Sequence, residues 1–334
     1  KLAGWECKFS TRFESKASYR WSFSLKIFSA RYWLNFAAMR LFPAWLMYVH
    51  FPTIGKILYL NCFKYFCWRR ALFSLTFLFA IFLQTVIVTV FRLLDELLLP
   101  FYRLKQIKAP VFIISNPRSG TTFLHRLFTQ DEERFTYTLL YHTIFPAASL
   151  ILLIRGIGWL ERPIGRPLHR LMNWISRKAF KGWDDIHRTG LNESEEDEGL
   201  FIFSQLTAAV CLWCPFPQHM QHLVIPDRLP ERTRRAMQSF YFSSLRRILF
   251  AMGGDKTLLM KNVMTTGRFR TLVQAFPDAR VIYITRHPYK AVPSFISMFT
   301  APWPIHSPDL PEAGPETEAM GRIITQYYEY FNAG

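Results

Sequence analysis

Between residues 111 and 130 the chain reads VFIISNPRSGTTFLHRLFTQ, and that order of residue types leaves few folds open. Val111 to Ile114 is a short apolar run rich in β-branched residues, which predicts a buried strand. Ser115 to Gly120 forms a polar, small-residue loop, after which Phe123, Leu124, Leu127 and Phe128 share one face of a helix. Strand, tight loop and helix N-terminus bring free backbone N–H groups and the positive end of the helix dipole to one point, where an anion can be held. The alternation returns further on. Thr257 to Lys261 (TLLMK) reads as a strand, Thr265 to Phe276 as a helix, Pro277 and Asp278 as a turn, and Arg280 to Arg286 (RVIYITR) as the next strand. Such alternation predicts a parallel sheet with right-handed crossovers and ligands at the carboxyl ends of its strands. The expected fold is α/β: a P-loop-like parallel β-sheet flanked by helices, preceded by a hydrophobic helical membrane segment.

What the loop lacks narrows its use. A nucleoside-triphosphate loop needs G-x-x-x-x-G-K-[ST]. Aligned on Gly120, its first glycine becomes Ser115 and its lysine becomes Thr121, while Arg118 supplies the cation earlier in the loop. The second strand ends in Arg286, where an NTPase would carry the acid that holds Mg²⁺. The expected site is cationic and metal-free, suited to neutralising phosphates directly.

The run N-P-R-S-G-T-T, Asn116 to Thr122, resembles the 5′-phosphosulfate loop of sulfotransferases that use 3′-phosphoadenosine 5′-phosphosulfate (PAPS), in the branch with arginine in the loop. Arg286 at a strand end, with Ser294 eight residues on, resembles the family's 3′-phosphate site. The likeness covers roughly residues 105 to 300. It implies PAPS as cosubstrate, held by Arg118, Ser119, Gly120, Thr121 and Thr122 at one end and by Arg286 and Ser294 at the other. It also implies that Lys261, at the family's strand-end lysine, approaches the transferred group; the plain alternative is a lysine leaving a buried strand for water. Sulfuryl transfer is an in-line displacement, so positioning and electrostatics carry it, with Arg118 and Lys261 stabilising the departing oxygen.

The acceptor needs a base. Cytosolic relatives carry a histidine two residues after the strand lysine, where this chain has Val263. The arginine-loop branch often has a glutamate some twenty residues after its loop, before an apolar turn ending in proline; His142 stands there in Leu140 to Pro146. An imidazole suits base chemistry near neutral pH. The rival is the acidic run Glu193 to Glu198, of which Glu195 or Glu196 is the better candidate, although acids also gather at helix N-termini because of the dipole.

Charge is unevenly placed. The net charge is +17, and residues 1 to 70 hold twelve Lys or Arg against two Glu among many aromatics. Basic and aromatic together can mean nucleic acid, but they fit a membrane interface better, so no nucleic-acid partner is expected. Leu72 to Phe91 is twenty residues without a charge, long enough to cross a bilayer core. Three regions follow: a basic, aromatic, membrane-proximal stretch 1–71, a transmembrane or membrane-associated helix 72–92, and a sulfotransferase domain 105–334 that ends earlier than relatives do. The flanking arginines favour a single pass with a cytosolic N-terminus; the alternatives are a helix lying on the membrane or packed on the domain, and a cytoplasmic protein.

Cys7, Cys62, Cys67, Cys211 and Cys214 are scattered, and Cys211-x-x-Cys214 has no second pair to complete a zinc site, so packing roles are expected. Residues 140 to 250 read as helical inserts lining an acceptor cleft, and the proline-rich stretch Ala301 to Pro315 as a mobile loop over it. Two other functions compete: a P-loop-type nucleotide kinase or hydrolase, and a non-catalytic nucleotide-binding membrane protein. The acceptor stays open among glycan, lipid, peptide and small alcohol.

Overall fold

A computed structural model describes residues 43–179, 191 and 193–332. Most of the basic N-terminal stretch, including Arg31 to Phe42 and Cys7, lies outside the described residues. Helix α1 is Phe51–Tyr59 and α2 is Trp68–Leu98. Strand β1 (Val111–Ser115) leads into α3 (Thr121–Phe128) and then β2 (Phe135–Tyr137). A helical excursion follows, containing α4 (Leu140–Ile144), α5 (Ala148–Leu160), α6 (Pro167–Ala179), α7 (Glu198–Ser204) and α8 (Glu231–Met252). The chain returns through β3 (Thr257–Asn262), α9 (Phe269–Ala275) and β4 (Arg280–Ile284), and closes with α10 (Pro288–Thr300) and α11 (Pro315–Asn332).

The four strands are parallel in the order β2-β3-β1-β4. All their carboxyl ends therefore share one edge. β1 is sandwiched between β3 and β4 and buried along its whole length, as a continuous apolar run in a parallel sheet requires. Side-chain alternation sorts the core. Val111, Ile113 and Leu259 pack with Leu124 and Phe128 of α3, whereas Phe112, Ile114, Leu258 and Met260 join a larger cluster with Leu272 and Phe276. Each fully buried side chain of this kind contributes on the order of 1.5–3 kcal/mol.

Three elements differ from expectation. The apolar helix runs 68–98 instead of 72–91, because polar residues at both ends find partners in the domain: Arg70 reaches Ser307 and Asp309, and Asp95 receives the Ala148 and Ser149 N–H groups. The stretch from 301 to 315 is anchored, not a loose flap. Trp303 is buried and donates to the Cys211 carbonyl, and His306 sits between Ser307 and the Leu212 carbonyl. The acids from 195 to 198 are mostly turned inward, with Glu195, Asp197 and Glu198 buried. Cys211 and Cys214 are buried free thiols, which burial pushes above their ordinary pKa.

Candidate active site

The loop after β1 ends on two left-handed residues. Gly120 (φ 90°) caps α3, a conformation glycine adopts without strain. Arg118 (φ 67°) adopts it with a Cβ, which costs about 1–2 kcal/mol and marks a backbone held for a purpose. Its Nε donates to Ser294 Oγ at 2.9 Å. Arg286, two residues beyond β4, donates from Nη1 to the Arg118 carbonyl at 2.8 Å. The loop is thus laced to the middle of α10 and to the segment after β4 by residues from both motifs. These bonds pair the two guanidinium groups with neutral oxygens. Burial and the neighbouring Arg286 hold Arg118 below its ordinary pKa, with Glu196 acting the other way.

Lys261 enters from β3. Its register partner is Ile113, so its side chain shares the sheet face on which α3 packs. The side chain is fully buried, and Nζ donates to Thr122 Oγ1 at 3.1 Å and pairs with Glu196 Oε1 at 3.2 Å. Glu196 keeps 21 % of its side-chain surface exposed. Ser119 and Thr121 are buried in the loop, and Ser119 Oγ donates to the Asn116 carbonyl.

The next residue of β3 points the other way. Asn262 donates to both Asp197 and Glu198, Arg268 pairs with Glu198, and Tyr241 and Thr207 donate to the same two acids. Burial pushes the Asp197 carboxyl up to about 6, against the pull of Arg268. Alternation along β3 thus divides the acids: Glu196 pairs with Lys261, while Asp197 and Glu198 are both held by Asn262 on the other face. Neither Asn262 nor Arg268 belongs to a motif, so their support of the acids leaves no local mark in the sequence. The only signal was acids denser than a helix cap needs.

His142 lies outside this arrangement. It is fully buried on α4, and Nδ1 accepts the Leu139 N–H at 3.1 Å. Burial, with Arg155 adding to it, lowers its pKa to about 3. Glu195 is buried and bridges by its backbone to Thr138. The structure therefore brings Arg118, Ser119, Thr122, Glu196, Lys261, Arg286 and Ser294 into one chain of contacts, joined through Gly120 and Thr121 in the loop. His142 and Glu195 are buried and bond to Leu139 and Thr138. Among the described residues no cluster of His, Cys, Asp and Glu has the grouping of a metal site.

A sequence profile described as a sulfotransferase family matches residues 110–333. Among curated proteins, the omega-hydroxy-beta-dihydromenaquinone-9 sulfotransferases Stf3 of Mycobacterium bovis and Mycobacterium tuberculosis are each 27% identical over 201 residues, covering 59% of this chain and 47% of theirs. The chain spans about half the length of the curated relatives it matches. Among solved structures, sulfotransferase STF1 of Mycobacterium tuberculosis superposes with a TM-score of 0.57 at 19% identity, over 79% of this chain and 68% of that one. Sulfotransferase STF9 of Mycobacterium avium gives 0.53 at 19% identity, over 72% and 58%. These structures share the fold.

Proposed function

Because the chain belongs to the sulfotransferase family, we propose that it moves a sulfuryl group from PAPS to a hydroxyl or amine acceptor by in-line displacement. The observation that carries the reading is the contact chain from Ser294 through Arg118 to Arg286, joined by the loop to Thr122 and Lys261. A cosubstrate phosphorylated at both ends of its ribose needs two cationic grips at one sheet edge, and these residues supply them.

In this reading the N–H groups and hydroxyls of Ser119 to Thr122 hold the 5′-phosphate at the α3 N-terminus. Arg286 and Ser294 hold the 3′-phosphate. Arg118 and Lys261 face the bridging oxygen as it departs and stabilise the charge that develops there. Glu196 takes the acceptor proton: it is partly exposed, and its contact with Lys261 keeps it beside the reacting group. His142 has its Nδ1 lone pair committed to a backbone N–H, so we assign it to fixing the turn that precedes α4, together with Glu195. No step asks for a metal.

The curated relatives are named for an omega-hydroxy dihydromenaquinone. We propose the same broad class here, a hydroxyl on an apolar carrier, used by a protein at a membrane. The deciding experiment is calorimetry with 3′,5′-adenosine bisphosphate against ADP and AMP. Preference for the bisphosphate, lost in Arg286→Ala, is expected; equal affinity for all three would overturn the donor assignment.

A further inference from the structure

Helix α2 is amphipathic in the inverted sense. Its polar residues Arg70, Ser74, Thr89, Arg92 and Asp95 are buried against the domain. Its outward stripe, from Leu75 through Phe79, Phe82, Val86 and Val90 to Leu97, is exposed and without a charge. A helix facing water carries the opposite arrangement. Helix α5, which packs beside α2, adds exposed Leu152, Leu153, Ile157, Trp159 and Leu160. An apolar surface of this extent on a monomer marks a contact with something apolar.

Most of the exposed charges around this surface are basic, and its acids are paired, Glu96 with Arg103 and Asp309 with Arg70. Exposed Lys64 and Arg69 stand at one end of α2 and Arg103 beyond the other, while exposed Arg162, Arg166 and Arg170 follow α5. From residue 43 to residue 130 the only acids are Asp95 and Glu96; both face Arg247, and Glu96 also pairs with Arg103, which leaves Lys64, Arg69, Arg162, Arg166 and Arg170 as the basic rim. A basic rim repels a second copy of itself and attracts anionic headgroups.

Length then decides how the helix meets lipid. Its inner side is bonded to the domain at Arg70 (to Ser307 Oγ, 2.8 Å), at Gln84 (to the Ile144 carbonyl, 2.6 Å) and at Asp95 (from Arg247 Nε, 2.9 Å). Arg70 to Asp95 spans about 37 Å at helical rise, more than the roughly 30 Å of a bilayer core. A helix crossing the membrane would drag the attached domain into hydrocarbon along its whole length. We propose that α2 lies in the plane of one leaflet of an anionic bilayer, its outer stripe and that of α5 sunk among the acyl chains, with the whole described domain on one side. The inference stands apart from the cleft chemistry and holds whether or not the chain transfers sulfate.

The test uses the full chain with vesicles of phosphatidylcholine, with and without phosphatidylglycerol. The chain is expected to float with both and more strongly with the anionic ones. Phe82→Glu combined with Val86→Glu touches only exposed positions, and is expected to weaken partitioning about a hundredfold while the melting temperature and bisphosphate affinity stay unchanged. Orientation is read separately, from a fluorescent amino acid introduced at residue 75, 86 or 97 and quenched by brominated lipids. These positions share one face of α2, so an in-plane helix gives equal depths at all three. A deep middle between shallow ends would show a crossing and overturn the proposal. So would folded protein that ignores every vesicle, or a lipid-independent dimer that the double variant dissolves.

Discussion

Two groups of cations, one buried behind α2 and one at the edge of the sheet, differ in their partners. Behind α2, Arg247 meets Asp95 and Glu96, and Arg92 donates to Ser243, Ser244 and two backbone carbonyls. At the carboxyl edge of the sheet, Arg118 and Arg286 meet a hydroxyl and a carbonyl, and one carboxylate, Glu196, pairs with Lys261. The first group is neutralised from within and holds elements together. The second carries net positive charge where Arg286 is exposed and Arg118 half-exposed to water, which is the electrostatic condition for recruiting a dianion. Both burial and carboxylate partners separate the two groups: Arg92 and Arg247 are fully buried beside Asp95 and Glu96, whereas Arg118 is half-buried and Arg286 exposed, each bonded to a neutral oxygen.

The contrast is sharpest when one acid is removed from the first group. Asp95→Ala leaves Arg247 with Glu96 as its one carboxylate, uncovers the buried Nε–H and frees two N–H groups at the start of α5, and is expected to cost about 3–5 kcal/mol. Chemical denaturation measures it; a loss under 1 kcal/mol would mean that the cluster is not the fastener described. Lys261→Ala belongs to the second group. It is expected to lower kcat by about a hundredfold or more, read as labelled sulfate transferred, while bisphosphate affinity changes little. Equal losses in affinity and kcat would instead make Lys261 a binding residue.

The smallest effect concerns pH. His142 titrates near 3 in the fold and near 6.5 when unfolded, so between those values the unfolded chain binds more protons. Its contribution is complete above about 6.5 and is lost as pH falls toward 3. Asp197, raised to about 6, works in the opposite sense: the folded state keeps its proton, and stability falls as pH rises from about 4 to 6. His142→Gln is expected to reduce proton uptake on unfolding near pH 5 by about one, measured from the pH dependence of the melting curve. Turnover is expected to stay within about threefold, whereas its collapse with intact bisphosphate binding would return His142 to the role of base.

Strands β1 and β4 and the placement of Ser294 on α10 were legible in the residue pattern, because apolar runs and proline-marked starts are local signals. The partners of charged residues were not. Arg70 and Arg92 looked like flanks of an apolar segment, yet each finds its oxygens far along the chain, at 307 and 309 or at 243 and 244. Strand β3 runs to Asn262, one residue past its apolar run, because that amide is tied to acids some sixty-five positions earlier. The acidic run looked like a helix cap, but Asp197 makes no side-chain cap bond and Glu198 reaches Arg268. In each case the deciding partner is remote in sequence, and local propensity carries no trace of it.

The left-handed backbone at Arg118 sets durability against turnover at a single position. Glycine would occupy φ 67° without penalty, so Arg118→Gly is expected to leave the protein as heat-resistant as before or slightly more so, while abolishing turnover. Selection for thermal endurance alone would tend to erase this arginine; only selection for turnover would preserve it.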